Sequence, residues 1–134
     1  MIPQLAHMTK RASKLVPGLL WLPALAVGAL QMKDIQAGVI TDYGADFFGP
    51  IALYASFRTH GWVPFLKRAP SPSASAAIVL IGCVLRELSQ LYDFKGTPLA
   101  ITVGSFDPWD IAAYILGVAL AFATEKLVRH GRAA

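Results

Sequence analysis

The sequence predicts an all-α integral membrane protein, a four-helix transmembrane bundle forming one domain over residues 1–134. Three observations predict this fold. The chain is 55% hydrophobic and only 15% charged, whereas a soluble domain carries about 25% charged residues. Its apolar residues fall in four runs that reach or approach the roughly 20 residues a helix needs to cross a bilayer. Its basic residues flank those runs and do not form a stripe on one face.

The four predicted helices are taken in chain order. They occupy about residues 14–31, 39–57, 73–91 and 108–127. The first run follows a basic segment and imitates a signal peptide, but three more apolar runs follow it, so we interpret it as a retained helix. The second run has Asp42 and Asp46 in its first third. A re-entrant or tilted segment is therefore the alternative there.

The fourth helix has a clear start and a packing face. Asp107, Pro108 and Asp110 have the order of an N-cap, a first-turn proline and a capping-box acid. Small residues then recur every four positions, which lets helix backbones approach closely. They are Ala113, Gly117 and Ala121. We predict packing inside the bundle, with homodimerisation as the alternative.

The distribution of basic residues predicts the orientation. Nine lysines and arginines lie before the first helix, between the second and third, or at the end of the fourth, and only Lys33 and Lys95 lie in the opposite loops. The positive-inside rule then places both termini in the cytoplasm. We expect the chain to lie in a bacterial inner membrane.

Several function classes find no support in the residues. The net charge of +4 has no nucleic-acid motif beside it, so we predict no nucleic-acid partner. Cys83 is the only cysteine and is interpreted as a small packed residue. No cofactor motif and no required metal site is present, and we predict neither.

The stretch "CVLRELSQLY" places Arg86, Glu87 and Gln90 near the end of an apolar run. Arg86 can extend to the membrane surface, so an interfacial anchor is the simplest interpretation. Glu87 is shorter, and a charge within a membrane helix costs about 2.5–3.5 kcal/mol at the helix centre. Gln90 shares its helix face. The alternatives are an internal hydrogen bond between the two and a polar pocket that both line.

Asp42 and Asp46 are four residues apart and would share one helical face. Like charges at that spacing repel each other, which predicts a basic partner, a cation or open water. Arg86 lies at the same predicted depth and is the expected partner. Together with Glu87 and Asp110 the two acids offer oxygen ligands for Mg²⁺ or Ca²⁺, although the spacing does not require a metal.

The C-terminal half resembles the VanZ-like family of small bacterial membrane proteins. That family has a Glu-x-x-Gln on one helix, then a loop ending in an Asp at the head of the next, and a small or polar residue and a Gly one and two turns on. The positions that fill this pattern are Glu87, Gln90, Asp110, Ala113 and Gly117. The similarity covers about residues 76–127. It implies a helical integral membrane protein and no particular reaction.

Three functions remain open on the sequence. The first is a non-catalytic membrane protein with an outward-facing polar pocket for a lipid headgroup or amphiphile. The residues expected to line the pocket are Arg86, Glu87, Gln90, Asp110, Asp42 and Asp46. The second is an accessory subunit of a larger membrane complex. The third is an enzyme acting on a lipid-linked substrate with Glu87 as general base.

Overall fold

The computed structural model describes residues 3–33, 35–59, 67–92, 96–97 and 105–131, with side chains from residue 15 onward. All regular structure in these ranges is α-helical. The four helices are α1 (Pro3–Met32), α2 (Val39–Arg58), α3 (Pro72–Ser89) and α4 (Pro108–Gly131). The all-α prediction is confirmed. Several predicted loop residues, among them Lys95, lie outside the described residues.

Local sequence signals explain where α3 and α4 begin. The Ser71 hydroxyl accepts a hydrogen bond from the Ala74 N–H at 3.1 Å, and Pro72 takes the first helical position. At α4 the Asp107 carboxylate accepts from the Trp109 N–H at 2.9 Å. Each cap satisfies an N–H group that has no partner within its helix. The predicted N-cap role of Asp107 is confirmed.

Consecutive helices run in opposite directions. The Trp21 indole N–H donates to the Ser56 hydroxyl at 3.2 Å, which sets α1 antiparallel to α2. We call the end that holds Gly38, Ser89 and Pro108 the Glu87 end, and the end that holds Arg58, Pro72 and Gly131 the Arg58 end. Helix α2 contacts all three other helices, and α4 packs against α2 and α3. The first half of α1 and the C-terminal end of α4 both lie at the Arg58 end, where Val16, Arg58 and Arg129 line one groove.

The packed core is small and lies between α2, α3 and α4. Tyr54, Val79 and Val118 are buried at its centre, and Cys83 is partly buried against them. Many large apolar side chains point outward, including Leu19 on α1, Leu85 on α3 and Leu116 on α4. An apolar exterior around a small core is what a bilayer, rather than water, accommodates.

Three of the described helices are long and apolar enough to cross a membrane: Leu15–Met32, Pro72–Ser89 and Pro108–His130. They indicate a membrane protein. The prediction of four spans is met only in part, because α2 is not among the three. The physical reason lies in its first turns, where Asp42 and Asp46 lower the hydropathy of an otherwise apolar helix.

Candidate functional site

Glu87 is the centre of a polar network at the Glu87 end. Its side chain is 0% exposed, and both carboxylate oxygens accept hydrogen bonds. Oε1 accepts from the Asp107 N–H at 2.9 Å. Oε2 lies 3.0 Å from the Tyr114 hydroxyl and 3.3 Å from the Gln90 side-chain nitrogen. A buried carboxylate with this many donors is accommodated in an apolar bundle.

Glu87 performs at α4 a role that the sequence assigned to Asp110. In a capping box the third helical residue reaches back to the N-cap N–H. Here the N-cap N–H of Asp107 donates to Glu87 instead, so the carboxylate comes from the neighbouring helix. A negative charge at a helix N-terminus is also favoured by the helix dipole. Glu87 therefore clamps α3 to the first turn of α4.

Tyr114 connects Glu87 to Asp46. Its side chain is 2% exposed. Its hydroxyl lies 3.1 Å from Asp46 Oδ1 and accepts from Arg86 Nη1 at 2.9 Å. The hydroxyl has one proton, so it donates to Glu87 or to Asp46 but not to both. Asp46 is paired with Arg86, whereas Glu87 has no cation within hydrogen-bond distance among the described residues. We therefore assign the Tyr114 proton to the hydrogen bond with Glu87.

Arg86 pairs across the bundle with α2. Its Nη1 lies 3.5 Å from Asp46 Oδ1, and its side chain is 56% exposed. The expected pairing with Asp46 is confirmed, although at this distance and exposure it contributes little to stability. The described residues leave its other donors open to water or a headgroup, which fits a position at the membrane surface.

Asp42 and Asp110 lie outside the hydrogen-bonded network. Asp42 is exposed in the first turn of α2, and Asp110 is half-buried in the first turn of α4. Both carboxylates, with that of Asp107, lie within electrostatic range of the Tyr43 hydroxyl. That hydroxyl donates to Asp107 Oδ2 at 3.4 Å. No group of three or more potential metal ligands is present in the part of the chain that the structure describes.

Tyr43 also lines an apolar groove of about 600 Å³ between α2 and α4, which we call the Trp109 groove. This volume is in the range of small-molecule sites. Trp109 lies at its mouth and is 70% exposed. The residues that line it are Val39, Ile40, Tyr43, Gly44, Phe47, Phe48, Trp109, Ala112, Ala113 and Leu116. None of the six residues predicted to line a polar pocket lines this groove. They are Asp42, Asp46, Arg86, Glu87, Gln90 and Asp110.

The small residues of α4 lie where this helix meets α2. A Cβ atom at Gly117 would stand 2.5 Å from the backbone oxygen of Phe47, so only glycine allows this approach. Ala113 is buried beside the Trp109 groove. Ala121 packs against the core cluster. All three sit at contacts within the bundle, which is the packing role that the sequence favours.

A second polar cluster lies at the Arg58 end and was missed by the sequence analysis. The Arg58 guanidinium donates to both oxygens of Glu125, with Nε–Oε2 and Nη2–Oε1 distances of 2.9 Å. The Tyr54 hydroxyl donates to Glu125 at 2.6 Å. Arg129 approaches the same carboxylate at 2.8 Å, and Arg58 Nη1 donates to the Pro70 carbonyl. This cluster ties α2, α4 and the segment before α3 together.

Two signals could have revealed the missed residues. Tyr54 and Tyr114 stand inside apolar helices, and a buried tyrosine hydroxyl usually finds a polar partner. Glu125 is the only acid after Asp110 and lies among basic residues. Arg58 and Arg129 indicate the membrane orientation, but they also flank Glu125 and bind its carboxylate.

We expect Glu125→Ala to destabilise the protein by about 1–3 kcal/mol, because Arg58 and Tyr54 would both lose a charged acceptor. The Arg58 and Glu125 side chains are only 13% and 20% exposed. Arg129→Gln is the matched control. Its side chain is 60% exposed, so its loss should cost less than about 0.5 kcal/mol. Thermal unfolding in mild detergent measures both, and equal losses would contradict this view of the cluster.

No protein-family model matches the chain, and neither curated proteins nor solved structures give a match.

Proposed function

We propose that the protein is a non-catalytic, multi-pass membrane protein that binds an amphiphile or lipid headgroup in the Trp109 groove. The observation that carries this proposal is an apolar groove with one wall residue hydrogen-bonded into a polar network. An apolar groove of about 600 Å³ opens between α2 and α4. Tyr43 in its wall hydrogen-bonds to Asp107, whose N–H donates to the buried Glu87. The groove wall is thereby continuous with a fixed polar network.

The charge around the groove favours one kind of headgroup. Asp42, Asp107 and Asp110 all interact electrostatically with Tyr43, although none of the three lines the groove. No lysine or arginine among the described residues lines it either. Carboxylates accept hydrogen bonds and do not donate them when ionised. The preferred headgroup therefore offers hydroxyl or amine donors, and the apolar tail lies along Phe47 and Leu116.

The residues predicted for the pocket divide into two groups on this proposal. Asp42 and Asp110 lie outside the groove lining and add negative charge around Tyr43. Glu87, with Gln90 hydrogen-bonded to it, fixes α3 against the start of α4. The pair of Arg86 and Asp46 joins α3 to α2. The binding site is then lined mainly by α2 and α4.

We further propose that α2 enters the membrane within the bundle, where the other helices cover part of its surface. The basic residues Arg58, Lys67 and Arg68 cluster at the Arg58 end, which supports a cytoplasmic location for that end and for both termini. The setting is then a bacterial inner membrane, with the Glu87 end outside. The VanZ-like pattern remains a resemblance and supports the same setting.

The accessory-subunit function remains the alternative, and α1 is the feature that favours it. This helix packs chiefly on α2, and Leu15, Leu19 and Leu22 are each more than half exposed. Either lipid or a neighbouring subunit covers such a face. The enzyme hypothesis is the weakest, because Glu87 is 0% exposed and does not line the Trp109 groove, so a substrate bound there would not reach its carboxylate.

Filling the Trp109 groove tests the proposal. Ala112 lines the groove, whereas Ala123 is exposed on α4 and does not line it. We expect Ala112→Trp to lose a co-purifying amphiphile that Ala123→Trp retains. Mass spectrometry of protein purified gently from native membranes gives the readout. Unchanged amphiphile in Ala112→Trp would refute the site, and a stoichiometric protein partner would favour the accessory subunit.

A further inference from the structure

We propose that a second groove, at the Arg58 end, is a site for one anionic phospholipid, with the lipid phosphate on Arg129 and one acyl chain in the groove. This groove has a volume of about 540 Å³ and lies between α1, α2 and α4. It shares no lining residue with the Trp109 groove. The inference is therefore independent of the amphiphile site.

The walls of this groove suit an acyl chain. Val16 and Leu20 of α1 face Ile51 of α2 and Leu120 of α4 across it. These side chains are apolar, and the groove runs toward the Arg58 end, where the polar groups begin. A lipid tail in this position would cover α1 and α4 surface that the described helices leave open.

The charge at the mouth of the groove selects the headgroup. Arg58, Arg129 and Glu125 line it, which leaves a net charge of +1. The hydroxyls of Thr59 and Thr124 donate to backbone carbonyls of α2 and α4, so their protons are not available to a phosphate. Arg58 uses its donors on Glu125 and Pro70.

Arg129 is the group that remains available to a phosphate. One of its nitrogens contacts Glu125 at 2.8 Å, while 60% of the side chain is exposed. A guanidinium with donors in excess of its carboxylate partner binds phosphate oxygens well. On the proposed orientation this end faces the cytoplasmic leaflet, where basic residues attract anionic lipids by about 1 kcal/mol each.

The test compares phosphatidylglycerol with phosphatidylcholine of identical acyl chains, added to the full-length protein in detergent. Native mass spectrometry measures the fraction of one-to-one complex. We expect the wild-type protein to prefer phosphatidylglycerol, and Arg129→Gln to reduce that preference roughly fivefold. Lys126→Gln is the matched control, because Lys126 lies over the Phe122 ring at 4.9 Å and does not line the groove.

Thr124→Trp tests the apolar part of the same site. Thr124 lines the groove and is exposed, so the tryptophan should fill the groove and lower phosphatidylglycerol binding, whereas Ala123→Trp should not. Thermal unfolding verifies that each variant is folded. The proposal fails if the wild type shows no preference, if Arg129→Gln retains it, or if Lys126→Gln lowers it equally. Loss of binding in Ala112→Trp alone would assign the lipid to the other groove.

Discussion

Replacing Glu87 by alanine should destabilise the protein by about 2–4 kcal/mol, the larger of the two main effects expected here. The Asp107 N–H and the Gln90 amide would lose their acceptor, and the Tyr114 hydroxyl would keep only Asp46. Each interhelical hydrogen bond in a membrane contributes about 0.6 kcal/mol on average, and a truncated buried side chain adds the cost of a cavity. The apparent unfolding midpoint in mild detergent, followed by tryptophan fluorescence, reports the loss.

Two variants frame this measurement. Glu87→Gln keeps the shape and one acceptor oxygen for the Asp107 N–H, so it should cost only about 1 kcal/mol. Asp42→Ala removes an exposed carboxylate at the same end and should have almost no effect. An Asp42→Ala loss equal to that of Glu87→Ala would mean that general charge at this end, rather than the clamp, determines stability.

Replacing Gly117 by alanine should cost about 1–3 kcal/mol, which is the range for forcing extra volume into a packed contact. The added Cβ would stand 2.5 Å from the Phe47 backbone oxygen. A backbone atom within a helix cannot move aside as the end of a flexible side chain can. Helices α2 and α4 would have to separate, which would also disturb the Trp109 groove between them.

Gly82→Ala provides the matched control for Gly117→Ala. No atom of the residues that the structure describes lies within 4 Å of a Cβ built at Gly82, and alanine favours a helix over glycine by about 0.5–1 kcal/mol. The same substitution should therefore raise or preserve the unfolding midpoint at Gly82 and lower it at Gly117. Equal shifts of the same sign would show that α2 and α4 do not approach as closely as described.

The sequence predicted α3 and α4 well because their signals are local. Length, hydropathy and the cap at Asp107 act within a few residues, so α3 and α4 begin near the predicted positions. Helix α1 was predicted from residue 14 but begins at Pro3, because hydropathy marks only the apolar part of a helix. The pairing of Arg86 with Asp46 could also be anticipated, since both have the same predicted depth. Helix α2 was harder to assign, because two acids near its start reduce an otherwise apolar pattern.

The remaining site features depend on contacts between distant residues. Glu87 caps α4 from another helix, 20 residues before Asp107 in the chain, and no local pattern encodes that. Arg58 and Glu125 are 67 residues apart. The grooves arise from the spacing of whole helices, so the sequence could suggest polar and small residues but not which of them share a wall.

We propose that Glu87 holds α3 against the start of α4 and that the Trp109 groove, rather than this carboxylate, holds the ligand. Mass spectrometry of molecules that co-purify with Glu87→Gln and with Ala112→Trp tests it most directly. The account predicts that folded Glu87→Gln keeps its amphiphile and that Ala112→Trp loses it. Loss in Glu87→Gln together with retention in Ala112→Trp would place the ligand on the carboxylate itself and contradict the account.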